Sequence, residues 1–481
     1  MTQSVEHIDS AVEQHGVDTI PEGERTTRPR DVTAVLWGGN LCLSVMVFGW
    51  LPVVYGLGWW ASVTAIVLGT LLGSLFVAPL ALLGYRSGTN NSVTSGASFG
   101  VRGRLVASVI GLLLCLGYVA LTVWTGGEAV VAVADRVFGV AESDPQYALG
   151  YVVVALLVAA AAVYGFGWLV RINKLIVPVV LVTMVLMVVA FAGAFDASYA
   201  GTPDAYAVGD FWPTWLLAML SAGIAGPVSY VTLTGDWTRY VSPARHTPRR
   251  VVGYTFLGLL VGLIVPELFG AFIGVAAFNA DSFVLGPVQA GPAWLLLPIL
   301  LTAVIGSLGQ GGLNLYSMGL DLDAILPRLT RTQATLAVAV GATLLVFLGR
   351  FVWSAESAVT TFVVFLTSLA TPWAVVTMMG YVRLRGRYDE PSLQVFNRRE
   401  RGGAYWFTAG WNFDAVAAWA LGSLVGVLSN ATDTYQGPVA GWFGGVDVSV
   451  VTSAIVAGAT YALLIRLRPH AHAATALPDL D

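Results

Sequence analysis

Twelve apolar blocks run along the chain, at residues 33–54, 60–84, 105–134, 147–166, 171–195, 211–233, 251–278, 294–320, 333–350, 358–382, 412–430 and 449–466. Each is close to the ~20 residues that cross a hydrocarbon core of about 30 Å. Length and continuous apolar content set these helices, not an amphipathic stripe. The third and eighth exceed the minimum, which predicts tilt. The pattern predicts an all-α integral membrane protein of 12 transmembrane helices. The polar ends, 1–30 and 469–481, read as disordered tails.

Charge fixes the orientation. If the N-terminus is cytoplasmic, 22 of the 24 basic residues fall on the inner side. They form the groups Arg25 to Arg30, Arg86 to Arg104, Arg171 and Lys174, Arg239 to Arg250, Arg328 and Arg331, Arg383 to Arg401, and Arg466 with Arg468. Only Arg136 and Arg350 fall outside, while Asp196, Asp204, Asp210, Asp281, Asp433 and Asp447 mark the outer segments. This asymmetry is what the positive-inside rule expects. One missed or invented span would invert every later loop. The expected location is the plasma membrane, with both termini cytoplasmic.

Composition excludes a soluble domain: 11% of residues are charged and mean hydropathy is +0.75, against about 25% charged in soluble proteins. The first ~30 residues lack the apolar core of a cleavable signal, so the first span is expected to direct insertion. Cys42 and Cys115 both lie in apolar blocks and do not read as an exposed disulfide. The five histidines lie in tails or a basic loop, and no metal, cofactor, nucleotide or hydrolase motif is present. An enzyme is not expected, nor a nucleic-acid partner or an obligatory protein partner.

Two blocks carry helix breakers. Trp37-Gly38-Gly39-Asn40 interrupts the first, and Ala222-Gly223-Ile224-Ala225-Gly226-Pro227 the sixth. Glycine lowers helix propensity and proline lacks an N–H. Close packing of helices through small residues is one reading. The other follows from spacing: an odd number of spans separates the breaks, so spans 1–5 and 6–10 can be inverted repeats with broken first helices. Paired breaks of that kind point to a substrate site between repeats.

Ionisable and amide side chains inside apolar blocks are the remaining candidates. Glu128 lies in the third span and Glu267, after Pro266, in the seventh; each is a proton-carrying candidate or a hydrogen-bonded structural carboxyl. Asp236 and Arg239 at the inner end of the sixth read as a structural pair or gate. In the eighth span, Gly306, Gly309, Gln310 and Asn314 combine close backbone approach with amide donors and acceptors. A helix-packing seam is the alternative there.

Several segments resemble the nucleobase:cation symporter-1 family, in its purine-cytosine permease branch. They are Gly84-Tyr-Arg-Ser-Gly88, Ser98-Phe-Gly-Val-Arg-Gly103, Gly235-Asp-Trp-Thr-Arg-Tyr240, Leu315-Tyr-Ser-Met-Gly-Leu320, Gly380 to Asp389, and Tyr405 to Asn412. The resemblance implies a leucine-transporter-type fold with a transport core over 31–382. Its inverted repeats span about 31–195 and 211–382, followed by a basic loop at 383–411 and two accessory helices over 412–468. It also implies cation-driven uptake, by alternating access, of a nucleobase of the purine or cytosine class. Other planar solutes (allantoin, hydantoin, uracil, a vitamin) are the alternative, with a channel or receptor as the rival class.

The family register assigns roles. Tyr118 falls where a stacking Trp is usual, Cys115 where cytosine carriers have a ring-binding Gln, and Thr122 one turn beyond Tyr118. Pro227 falls near the usual sixth-span aromatic, with Gly226 and Ser229 as polar contacts. Asn40, Gln310 and Asn314 complete the expected substrate set. The family's Na⁺ site maps its carbonyls to Gly39, Leu43 and Gly306, and its hydroxyls to Gly309 and Gln310, where none exists. The expectation therefore leans to H⁺ over Na⁺, with Glu267 as the first proton candidate and Glu128 the second.

Overall fold

The computed structural model describes residues 16–163, 166–280, 282–325, 331–351, 355–432 and 434–468. Residues 1–15, Arg328 and the expected C-terminal tail, 469–481, lie outside them. Among the described residues the structure is helical, with four isolated β-bridges and no strand. Among the described residues, nine helices are long and apolar enough to cross a membrane, and the bent pair Pro29–Asn40 and Leu43–Val54 makes a tenth if it is one span. Two shorter apolar helices, Thr335–Phe351 and Phe413–Leu428, stand where the ninth and eleventh spans are expected.

The first span bends by 66°. Its break lies at Leu41–Cys42, just after the expected Trp37–Asn40. Gly38, Gly39 and Asn40 remain helical, and Cys42 is extended (φ −153°, ψ 162°). The sixth span departs further from expectation. Met219–Ile224 forms a π-helix, Ala225–Val228 returns to α, and the chain leaves the helix at Ser229, with turns through Leu233. The π-turn is a physical consequence of Pro227, whose ring clashes with the carbonyl four residues back. Gly223 serves packing: a Cβ there would lie 2.6 Å from Gly69 Cα in the second span. The glycines mark helix contact, and the unwinding follows them.

The seventh span, Pro248–Ala276, packs along both halves of the first, and the eighth, Leu296–Ile325, along the third, Leu105–Phe138. A Cβ on Gly49 would sit 1.7 Å from the Glu267 carbonyl oxygen, and one on Gly270 1.9 Å from that of Met46. Only glycine permits this approach of the first and seventh spans. Phe413–Leu428 and Ser449–Leu467 pack on each other and on the tenth span, Ala355–Arg383.

The face that gathers the N-terminal segment and the 383–411 loop corrects one expectation. Residues 16–30, taken as part of a disordered tail, are ordered. Val17 and Ile20 are buried, and the Val17 carbonyl accepts from Thr89 Oγ1 at 2.7 Å and Gln394 Nε2 at 3.1 Å. Arg25 is buried because its guanidinium donates to the carbonyls of Tyr85, Arg239 and Val241, a partner set that compensates a desolvated charge. The basic 383–411 loop is likewise fixed: Tyr405 O accepts from Val101 N at 3.2 Å and Gly410 O from Arg102 N at 2.8 Å. It holds four non-glycine residues at positive φ, Arg385, Arg399, Phe407 and Ala409.

Candidate substrate-binding site

Four spans meet at the two breaks. Asn40 ends the first helical half, and its Nδ2 donates to Leu36 O at 2.8 Å, which turns Oδ1 outward. That oxygen accepts from the Tyr230 hydroxyl at 2.7 Å. The same hydroxyl faces the Gln310 amide of the eighth span. Since the phenol gives its proton to Asn40, its remaining capacity towards the Gln310 amide N–H is as an acceptor. Tyr230 is 7% exposed, Gln310 4% and Asn40 0%, so the cluster is shielded from water.

Tyr118 closes the other side. Its hydroxyl lies against Ser229, and its ring stands between Phe48 (centroids 5.9 Å apart) and Phe362 (6.5 Å). Ser229 Oγ donates back to Gly226 O at 2.6 Å. Thr122 Oγ1 contacts Ser44 Oγ at 3.3 Å, and Ser44 in turn the Cys42 thiol at 3.0 Å. A short polar chain therefore joins the third span to the first break. Cys115 is fully buried one turn before Tyr118. Asn314, one turn beyond Gln310, is 6% exposed, and its Nδ2 has no hydrogen-bond partner. An unpaired buried donor is costly, about 1–3 kcal/mol.

Expected residues thus separate into groups. Asn40, Tyr118, Gly226, Ser229 and Gln310 are brought together, with Thr122 at the edge. The cation positions line the crossing of the first and eighth spans. Gly306 faces Leu41 O and Cys42, within 3.2 Å and 3.1 Å of a Cβ built on it, and one built on Gly39 would lie 3.5 Å from Gln310 Oε1. Leu43 starts the second helical half, and Gly309 is buried beside Gln310.

Glu267 is fully buried and abuts this centre. Its Oε2 accepts from Thr70 Oγ1 at 2.9 Å, whereas Oε1 has no hydrogen-bond partner and would lie 3.1 Å from a Cβ on Gly226. Glu128 stands apart, about 15 Å along the helix from Tyr118. Both its oxygens are taken, one by Trp124 Nε1 at 2.8 Å and one by Ser282 Oγ at 2.5 Å. Asp236 and Arg239 are buried at the inner end, where Arg239 donates to Gly16 O at 2.6 Å, Tyr240 Oη at 3.0 Å and Tyr316 Oη at 3.3 Å.

Tyr230 is the site residue that the sequence reading misses. The family register assigns its sixth-span contacts to Gly226, Pro227 and Ser229 and does not reach Tyr230. The available signal was a hydroxyl-bearing aromatic immediately after the last helical turn.

Known proteins resemble this chain over most of its length. The profile of the family described as permease for cytosine/purines, uracil, thiamine, allantoin matches residues 19–451. YxlA of Bacillus subtilis (strain 168), assigned as a purine-cytosine permease, is 24% identical over 95% of this chain and 96% of its own. The purine-cytosine permease fcyB of Emericella nidulans is 26% identical over 63% of this chain and 56% of its own. Among solved structures, Mhp1, a nucleobase-cation-symport-1 family transporter in a closed conformation with bromovinylhydantoin bound, superposes with TM-score 0.76 at 18% identity, covering 96% of this chain and 97% of that one. A Na⁺-coupled sialic acid symporter gives TM-score 0.57 at 15% identity, over 92% and 91% of the two chains. The fold is thus shared with Mhp1 and, more distantly, with the sialic acid symporter. The chain is an integral membrane transporter rather than an enzyme, and it belongs to the nucleobase-cation-symport-1 family of permeases.

Proposed function

We propose that this carrier imports a nucleobase of the purine or cytosine class across the plasma membrane by secondary active transport, with both termini in the cytoplasm. The observation that carries the reading is the meeting of Asn40, Gln310 and Tyr118 at the two broken spans. A planar heterocycle needs a ring face and an edge of donors and acceptors. Tyr118 offers the first, and the two amides with the unpaired Asn314 Nδ2 offer the second.

The coupling ion we assign is H⁺, carried by Glu267. A hard cation such as Na⁺ prefers oxygen ligands, and positions 309 and 310 bring no hydroxyl. Glu267 has one committed and one uncommitted oxygen beside Gly226, so a proton on Oε1 is gained or lost without breaking the Thr70 bond. Arg239 serves as the inner gate, held by the ordered N-terminal segment through Gly16. Proteoliposome uptake driven separately by proton and sodium gradients tests the coupling. Accumulation driven by sodium alone would return the cation to Gly39, Leu43 and Gly306.

A second reading has specific support: the resemblance implies an aromatic near position 227 and, in cytosine carriers, a Gln at 115, and this chain has Pro227 and Cys115 there. A different planar heterocycle, such as uracil, allantoin, a hydantoin or a vitamin, is therefore the alternative cargo. Relatives named for purine-uracil and vitamin B6 transport match 76% and 38% of the chain.

A further inference from the structure

We infer that Tyr230 is an internal stand-in for the substrate: its hydroxyl occupies the hydrogen-bonding groups of Asn40 and Gln310 until the cargo's edge displaces it. This rests on the reading of that cluster as the substrate site.

The hydroxyl does what the edge of a planar heterocycle would do. It gives a proton to Asn40 Oδ1 at 2.7 Å and turns its lone pairs towards the Gln310 amide. Asn40 cannot reverse its amide without losing Leu36 O, the 2.8 Å partner of its Nδ2. It therefore presents an acceptor, and the cargo must bring a donor to it. Gln310 presents a donor, and the cargo must bring an acceptor. A ring N–H beside a ring carbonyl, or an amino group beside a ring nitrogen, carries that pair.

Tyr230 is also placed to leave. It lies in the turns between Val228 and Thr234, outside the regular helix. Its own N–H bonds Pro227 O at 3.0 Å in a four-residue turn, and its carbonyl accepts from Leu233 N at 3.0 Å and Thr234 N at 3.1 Å, so the backbone is anchored while the side chain is free to swing. Its ring contacts Trp237 at 5.8 Å between centroids, which gives the side chain a support away from the amides. While the hydroxyl is in place, two buried polar groups on different spans are satisfied without cargo, so the empty carrier avoids the cost of orphaned groups.

The consequence runs against ordinary intuition for a site tyrosine. Removing the hydroxyl should strengthen cargo binding, because Asn40 and Gln310 are then unpaired in the empty carrier and gain more when cargo arrives. The full-length purified protein is first offered radiolabelled hypoxanthine, cytosine, uracil, allantoin and pyridoxine, and the Kd of those bound is measured for wild type and Tyr230→Phe. The expected result is about three- to tenfold tighter binding by Tyr230→Phe, on the scale of one to two hydrogen bonds. The gain should vanish when Gln310→Ala is added. Unchanged or weaker binding by Tyr230→Phe overturns the inference but leaves the carrier reading intact. A wild type that binds none of the five contradicts both. If Tyr230→Phe does not fold, the bound-minus-free tyrosine Raman difference of the wild type decides: a change in phenol hydrogen bonding supports the inference, and a flat difference overturns it.

Discussion

The Tyr230 hydroxyl and the Asn40 side-chain oxygen lie 2.7 Å apart although 190 positions separate them in sequence. That bond joins the unwound part of the sixth span to the end of the first helical half. It places the two repeats' breaks in direct contact and leaves Tyr118 facing them from the third span.

Tyr118 should carry the ring-stacking part of binding. Its ring is held between Phe48 and Phe362 and is 6% exposed. Tyr118→Ala should weaken binding by about 1–3 kcal/mol, the scale of base–aromatic stacking, whereas Tyr118→Trp should retain transport. Equilibrium binding of a labelled base to both variants checks this; normal affinity in the alanine variant would place the ring elsewhere.

Glu267 should separate coupling from binding. Glu267→Gln keeps an oxygen for Thr70 and the side-chain volume but cannot cycle a proton. Substrate counterflow should persist while accumulation against a gradient is lost. A variant that still concentrates substrate under a proton gradient removes Glu267 from the coupling path.

The helical membrane fold was legible because runs of about 20 apolar residues leave few other readings. Asn40 stood out as an amide beside a helix breaker and Gln310 as an amide inside an apolar block, whereas Tyr118 was reached through the family resemblance. The location of the breaks was not legible. A glycine run marks both unwinding and close packing, and only the contact of Gly223 with Gly69 distinguishes them. Nor could spacing reveal that Val17, Ile20 and Arg25 dock against distant segments of the chain. Their partners are mainly backbone carbonyls far along the chain, which leave no motif.

Glu128 should matter for stability rather than selectivity. Replacing it by Leu leaves the Trp124 Nε1–H and the Ser282 hydroxyl proton without their acceptors in a buried setting. Each orphan costs about 1–3 kcal/mol. Thermal unfolding of the purified variant should show a clear drop in Tm with substrate preference unchanged; an altered preference at unchanged Tm would give this carboxyl a transport role.

Orientation is accessible to thiol labelling, since both native cysteines are buried. Cysteines at Thr247 and Glu400, exposed on expected inner loops, should be protected from an impermeant reagent in intact cells, and one at exposed Ala197 should react. Reaction at both inner positions from outside would overturn the topology.

Counterflow in proteoliposomes made with purified protein tests the central claim most directly. With unlabelled hypoxanthine, cytosine or uracil inside and the labelled base outside, the wild type should show saturable exchange of at least one base, and Gln310→Ala should lose it. Exchange of none of them, or exchange untouched by Gln310→Ala, would contradict a nucleobase site at the meeting of the broken spans.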